Sequence, residues 1–450
     1  MKDRHLKHLD SEALERWLSQ DNDADRSESL LHLLATCPEC YRAGGYILDL
    51  YRAGALPLVF SRIDLALARS RAEAPGLWEE LSPLRFPEQS RRVQVAPRFR
   101  SWGLGELLCR KSRETAPESA SQAVELAELS VIIAEGLQDG EPVEDHWVYE
   151  LRALAWAHLG NARRVQGDLR SAKEAFSLSD QWWDAGFRDV GDPLDYEAEL
   201  QLLKVSLLAA ERCFPEGLRI LDSILQPYLK DPESQDPHLA GRAMVQKAFT
   251  LAEMGEPETS ISLLREASPL LDVRRDARLV LCVRYNLLEN LTRLSRFEEA
   301  RQGLTEVQGL CREWGKPLDH IRLRWVEARI AAGLGEREQA VTALDEVRLQ
   351  FLSLEIAYDA ALASLELAVL YLEDGRTAEV KELALALVPV FQSQDVHREA
   401  LAALAVFQSA ALVEAATAEL AREVVNYLEK ARHEPGLLFR SERQERPGGV

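Results

Sequence analysis

A turn that recurs every 40 residues constrains this chain more than any other feature. The segments "AFTLAEMGEPETSISLL", "LLENLTRLSRFEEARQGL", "EARIAAGLGEREQAVTAL" and "LAVLYLEDGRTAEVKELA" align on Gly255, Ser295, Gly335 and Gly375, at three successive steps of 40. An earlier copy, "LGNARRVQGDLRSAKEAF", aligns on Gly167. A degenerate copy, "SLLAAERCFPEGLRILDSIL", places Arg212 in the turn slot, at steps of 45 and 43 from its neighbours. A fixed period of this size means an array of supersecondary units, each burying its apolar face against the next.

The residue types say which unit. From about Val95 onward, apolar residues recur at helical spacing in segments of roughly 14 to 20 residues. Alternating β-branched runs and Asn-Gly hairpins are nearly absent. The turn residue closes the first helix of each pair, where glycine tolerates a left-handed backbone. Five positions later stands a compact residue: Ala172, Gly217, Ser260, Ala300, Ala340 and Val380. Four further on stands a larger one: Phe176, Leu221, Leu264, Leu304 and Leu344, with Ala384 the exception. Both slots fall on one face of the second helix, so the two helices of a pair can approach closely. The fold class is all-α. An irregular helical bundle is the alternative, and it would have no reason to keep this register.

The copy "WAHLGNARRVQGDLRSAKEAF" carries Trp156, Leu159, Gly160, Gly167, Ala172 and Phe176. On these residues the chain resembles the tetratricopeptide repeat, from about Arg98 to about Arg432. The family repeat is about 34 residues long, so the longer period here is expected to extend the second helix or the link between repeats. The resemblance implies a right-handed α-solenoid of about seven or eight helix pairs over residues 95–433. The segment "RFRSWGLGELLCRKSRE" with "ESASQAVELAELSVIIAEGL" reads as a divergent first pair, and "REALAALAVFQSAALVEA" with "ELAREVVNYLEKARHE" as a closing one. Residues 53–94 read as a helical linker packed on the first repeat, with helices separated by Pro75, Pro83 and Pro87. The tail, 434–450, has proline, glycine and charge without periodicity and reads as disordered.

Asp and Glu number 74 against 54 Lys and Arg, a formal net charge of −20. Phosphate backbones and anionic lipid surfaces reward positive surface, so general binding to nucleic acid or membrane is disfavoured. The opening "MKDRHLKHLDSEALERWL" has no apolar signal core. The weakly polar run "ALAALAVFQSAALV" falls short of the ~20 residues of a bilayer span. These features predict a soluble cytoplasmic protein. Cys109, Cys213, Cys282 and Cys311 stand singly in helical contexts and read as reduced core residues.

Cys37 and Cys40 are different. They sit two residues apart in "HLLATCPEC", at the junction of short helical segments within residues 1–52. That spacing lets two thiolates hold one tetrahedral zinc, with His32 arriving from the preceding helix. A fourth ligand is needed, and His8 is the best placed by sequence, with His5 behind it. A metal-free helical knuckle and a redox dithiol are the alternatives; the dithiol lacks a βαβ context. "HLDSEALERWL" and "LLHLLATCPECYRAGGYI" resemble helices of the bacterial zinc-binding anti-sigma domain, with four residues between His32 and Cys37 where that family has three. The resemblance implies a structural zinc on His8, His32, Cys37 and Cys40, and an alternative sigma factor as partner.

The array carries no catalytic signature. P-loop spacing, HExxH and G-x-S-x-G are absent, and "GLGE" at Gly103 stops short of a dinucleotide fingerprint. His146, His158, His238, His320 and His397 are isolated. In this fold the first helix of each pair lines the inner face. By register, that face carries His158, Asn161 and Arg164, then Arg242 and Gln246, then Tyr285, Asn286 and Arg293, then Arg322, Trp325 and Arg329. Arginine can fork onto carboxylates and asparagine can pair with peptide backbone. The expectation is a groove for a protein or peptide partner of acidic character. The competing expectation is that these residues form salt bridges within the array, with Glu289 and Glu327. The chain thus reads as a non-enzymatic scaffold or regulator. The alternative is a sensor of a peptide or small molecule, with a purely structural N-terminal knuckle.

Overall fold

The computed structural model describes residues 62–137, 145–186, 196–232, 236–354, 356–392 and 398–431, together with Leu437 and Phe439. The N-terminal segment with His5, His8, His32, Cys37 and Cys40 lies outside the described residues, as does most of the tail. Among the described residues there are helices and no strands. The chain divides into two compact units, residues 1–236 and 237–450.

Among the described residues the first unit holds eight helices: α1 (Arg62–Leu81), α2 (Phe86–Val95), α3 (Trp102–Thr115), α4 (Ala120–Gly136), α5 (Asp145–Gln166), α6 (Leu169–Gly186), α7 (Tyr196–Ala210) and α8 (Phe214–Lys230). The second holds ten: α9 (Pro237–Glu253), α10 (Pro257–Ala267), α11 (Val273–Arg293), α12 (Phe297–Trp314), α13 (Pro317–Gly333), α14 (Arg337–Ser353), α15 (Ala357–Glu373), α16 (Thr377–Gln392), α17 (Arg398–Leu412) and α18 (Ala418–Ala431). From α3 onward they pair as antiparallel hairpins, α3 with α4 through α17 with α18.

The turns fall where the sequence register places them. Gly167, Gly255, Gly335 and Gly375 have φ between +73° and +93°. Arg212 and Ser295, which hold the same slot without being glycine, also have positive φ, 58° and 57°. Glu414, at φ 56°, is a seventh member between α17 and α18 that the sequence alignment misses. Each of the seven closes its helix with the same pair of backbone bonds. In the fourth hairpin Gly255 N–H donates to Ala252 C=O and Glu256 N–H to Leu251 C=O; in the fifth Ser295 donates to Thr292 and Arg296 to Leu291. This is the Schellman arrangement, and it explains the glycines. A side chain in this conformation costs about 1–2 kcal/mol. Ser295→Gly is therefore expected to raise stability by about 1 kcal/mol, after the extra chain entropy glycine loses on folding, and Gly335→Ala to lower it by about as much. Urea midpoints of the two variants, moving in opposite directions, check this.

The compact slots pack as expected. Ala172, Gly217, Ser260, Ala300, Ala340 and Val380 are all buried. Of the larger residues, Phe176, Leu221, Leu264 and Leu344 are core, whereas Leu304 is only half-buried. Its neighbour Gly303 takes the contact instead: Leu288 lies where a Gly303 Cβ would point. The longer period is absorbed by the helices themselves. α12 has 18 residues, α13 has 17, and only Gly315 and Lys316 separate them.

Two expectations need correction. Pro75 does not end a helix; α1 runs through it. Proline removes one backbone bond there, but Leu67, Ala74 and Leu81 share one face at seven-residue spacing and are all buried, so packing carries the helix across. Cys213 is exposed at the start of α8 rather than in the core, while Cys109 and Cys311 are buried. Within the described residues, α1 packs against α3 and α2 against α4. Gly103 makes this possible, because a Cβ there would stand 2.3 Å from the Ser70 carbonyl oxygen. Its amide donates to Ser70 Oγ at 2.8 Å. Arg71 on α1 reaches Glu106 on α3 at 2.8 and 2.9 Å and Tyr196 on α7 at 2.9 Å. Burial pushes the Glu106 carboxyl up, but the Arg71 fork outweighs it and holds the group below the usual carboxylate range.

Candidate functional site in the second unit

The first helices α9, α11, α13 and α15 present the inner face of the second unit, and counting back from each turn identifies who lines it. Six residues before the turn stand Phe249, Glu289, Arg329 and Val369; two before it stand Glu253, Arg293, Gly333 and Glu373. Most of these line two adjoining cavities that share Arg293. The smaller lies among Phe249, Glu253, Ser260, Asn286, Asn290 and Arg293. The larger, about 580 Å³, has Phe297, Arg329, Gly333, Glu366 and Val369 in its wall. That volume lies within the range of small-ligand sites, about 300–1,000 Å³.

Helix α18 completes the wall of the larger cavity. α18 packs on α15, the first helix of the preceding hairpin, while α17 packs on α16. Leu420, Val424 and Leu428 bury one side of α18. Arg422, Asn426 and Glu429 are on its cavity side. Tyr427 fixes the end: its hydroxyl donates to the Leu437 carbonyl at 2.8 Å, and Phe439 packs edge-on at 5.1 Å. Gly333 shapes the opposite wall. A Cβ at Gly333 would meet the Phe297 ring at 2.3 Å, so the ring lies directly on the α13 backbone.

The sequence-selected residues separate into committed and uncommitted groups. Trp325 and Arg329 come together on Glu366 of α15. Trp325 Nε1 donates to Glu366 Oε2 at 2.8 Å, and Arg329 Nε donates to Oε1 at 3.0 Å. The Arg329 guanidinium also lies 4.4 Å from the Trp325 ring centroid. Burial lowers the Arg329 pKa, but Glu366, then Glu429 and Glu289, outweigh it and hold the guanidinium firmly charged. Arg293 pairs with Glu289 at 2.9 Å. For Arg293 and Arg329 the salt-bridge expectation holds, although Arg329 uses Glu366 rather than Glu327, which pairs with Arg324 at 3.2 Å. Trp325 is nearly buried, at 8% exposure, and is a wall more than a contact residue.

Tyr285, Asn286 and Arg322 are half-buried and make no hydrogen bond or ion pair among the described residues. Burial raises the Tyr285 hydroxyl pKa, with Glu289 adding to the rise and Arg329, Arg322 and Arg293 opposing it. The hydroxyl therefore stays protonated and can donate. Phe249, at 49% exposure, supplies an apolar contact beside Asn286. Arg242 is half-buried on α9. In the first unit, Asn161 and Arg164 satisfy each other: Arg164 Nε and Nη2 donate to Asn161 Oδ1 at 3.2 and 3.0 Å, and Asn161 and His158 are buried. The sequence reading missed Glu366, Phe297, Glu429, Arg422 and Asn426. Register would have found Phe249. Nothing periodic marks the α18 residues.

Among the described residues no group of three or more His, Cys, Asp or Glu could hold a metal ion, and no helix is long and apolar enough to cross a membrane. No protein-family model matches the sequence, and no curated protein matches it. Solved structures are similar in fold. A Rap protein complexed with Competence and Sporulation Factor aligns at 12% identity over 73% of this chain and 87% of its own, with a TM-score of 0.51. A signal-transduction ATPase of the STAND class with a tetratricopeptide repeat sensor, from Pyrococcus horikoshii, aligns at 12% identity over 97% of this chain and 66% of its own, with a TM-score of 0.53. At this identity the likeness is one of fold: both are helical-repeat proteins, as this chain is.

Proposed function

We propose that the chain is a non-enzymatic interaction scaffold that captures a protein or peptide through the inner face of its second unit. One observation carries this reading. Tyr285, Asn286 and Arg322 are polar side chains with no hydrogen-bond or ion-pair partner among the described residues, and they share the inner face with an exposed Phe249 and an open cavity. Half-buried polar groups without a protein partner face solvent, and they can exchange that water for hydrogen bonds to a docked partner. The comparison proteins support the reading in kind: one helical-repeat structure is a complex with a named factor, and another carries a repeat sensor. The sensor reading differs only in the size of the ligand, and the cavity volume favours it locally.

Photo-crosslinking tests the assignment. A benzoyl-phenylalanine placed at Phe249, Asn286 or Arg322 is expected to capture a partner in cells. The same probe at Leu349, exposed on α14, is expected not to. Capture from Leu349 alone would overturn it.

The finer part of the proposal concerns residues 1–52. A structural zinc on His8, His32, Cys37 and Cys40 would order this segment, and the ordered segment would occlude an alternative sigma factor. Its support is the Cys37-x2-Cys40 spacing with His32 upstream. About one zinc per chain is expected by elemental analysis, lost in the Cys37→Ser/Cys40→Ser variant. A zinc-free wild-type protein purified without chelator would remove the metal and weaken the sigma-factor reading with it.

A further inference from the structure

Among the ion pairs in and beside the cavity closed by α18, one lining carboxylate has no arginine of its own. Each arginine in or beside it has a carboxylate of its own: Arg329 on Glu366, Arg422 on Glu373, and Arg293 on Glu289. Arg337, which also touches Glu373, has Asp374 at 2.7 Å. Glu429 remains. Its carboxylate stands 3.7 Å from Arg329, beyond hydrogen-bond distance, and Arg329 already gives its Nε and Nη2 donors to Glu366. Glu429 makes no hydrogen bond among the described residues. The charges that bear on it are Arg329 from α13, Glu366 from α15, and Arg293 and Glu289 from α11. Three arginines and three glutamates line the cavity, and because Arg293 pairs with Glu289 outside it, Glu429 is the lining carboxylate without an arginine of its own. Neither Arg322 nor Glu289 lines this cavity. The remaining wall is apolar, with Phe297, Leu344, Val369, Leu370 and Val425.

We propose that this cavity receives a basic side chain of a peptide partner, its guanidinium or ammonium held by Glu429 and its stem lying along Phe297 and Val369. This rests on the interaction reading above and reverses the acidic ligand that the arginine content of the sequence suggests. Glu429 keeps 50% of its side chain in solvent, and a ligand cation would replace that water as its hydrogen-bond donor and counter-ion. An acidic ligand would add a fourth carboxylate and would have to displace Glu366 from Arg329. Asn426, beside Glu429 on α18, offers a carbonyl as a second acceptor. Long cationic side chains commonly bury the stem on apolar surface while the head finds a counter-ion.

Three pools of fluorescein-labelled, end-capped hexapeptides test this on the full chain by anisotropy. All have a central residue fixed as Arg, citrulline or Glu, with Leu, Val, Phe and Ser varied on either side. The Arg pool is expected to bind about threefold to fivefold more tightly than the citrulline pool, the scale of one solvent-accessible ion pair. Glu429→Gln is expected to erase that difference. Gly333→Ala, which drives the Phe297 ring into the cavity, is expected to weaken binding of the Arg pool. The Arg-citrulline comparison needs no variant, so a misfolded Glu429→Gln would not spare the proposal. Equal binding of Arg and citrulline pools, or preference for Glu, overturns the cation assignment and leaves peptide capture standing. Absence of binding by every pool, with crosslinks from Asn286 to a partner intact, overturns the cavity as a peptide subsite while the scaffold reading survives.

Discussion

Replacing Arg329 with methionine is expected to destabilise the second unit by about 2–3 kcal/mol. The change keeps the length of the stem and removes the charge. Glu366 is then left at 18% exposure with only the Trp325 indole as donor, and Glu429 and Glu289 lose the cation that tempers their repulsion. Breaking a fully buried pair costs about 3–5 kcal/mol; both partners here keep about a fifth of their surface in water, so the lower figure applies. The sign of the pair itself is a separate matter. An ion pair swapped for well-packed apolar residues is often neutral, so Arg329→Met/Glu366→Leu is expected to regain most of the loss. The remainder, about 1 kcal/mol, is the Trp325 indole left without an acceptor. Thermal and urea unfolding of the two singles and the double form a cycle. A single Arg329→Met variant as stable as wild type would show that Glu366 does not depend on it.

This pair also marks how far sequence could reach. Arg329 and Trp325 were legible because they hold fixed positions before the Gly335 turn, and the turn register is local chemistry repeated. A left-handed residue ends a helix whatever surrounds it, so Gly167, Gly255, Gly335 and Gly375 announce themselves, and Arg212 and Ser295 follow by alignment. Glu414 escaped because the closing hairpin has a longer turn: helix α18 starts four residues after Glu414, whereas α16 starts two after Gly375. The direction in which each arginine points was not legible. Arg329 looks like a free cation in the sequence, and its partner Glu366 is 37 residues away on α15. Pairing across helices is decided by which faces meet, and a one-dimensional register does not contain that. The α18 wall is the clearest case. Nothing in "ELAREVVNYLEKA" says that it lies on α15, so Glu429, Arg422 and Asn426 could not be assigned to the inner face.

Phe351→Ala is expected to cost still more, about 3–5 kcal/mol. Phe351 is fully buried at the end of α14, and its ring meets Trp325 edge-on with centroids 5.5 Å apart. Truncation removes a large apolar surface and leaves a cavity that the neighbouring helices cannot close, because Val347 and Ala357 are already packed in the same core. The loss should not stay in the core. Trp325 carries the hydrogen bond that positions Glu366, and Glu366 positions Arg329, so a loosened indole should loosen the cavity wall as well. Phe351→Leu separates the two consequences. It keeps most of the volume and is expected to cost less than about 1.5 kcal/mol, but it removes the aromatic edge against Trp325. If the Trp325 contact matters to the site, Phe351→Leu should change near-ultraviolet circular dichroism and weaken binding of an Arg-containing peptide while the unfolding midpoint moves little. A Phe351→Leu protein with unchanged binding would confine Phe351 to the core and cut the link from packing to recognition.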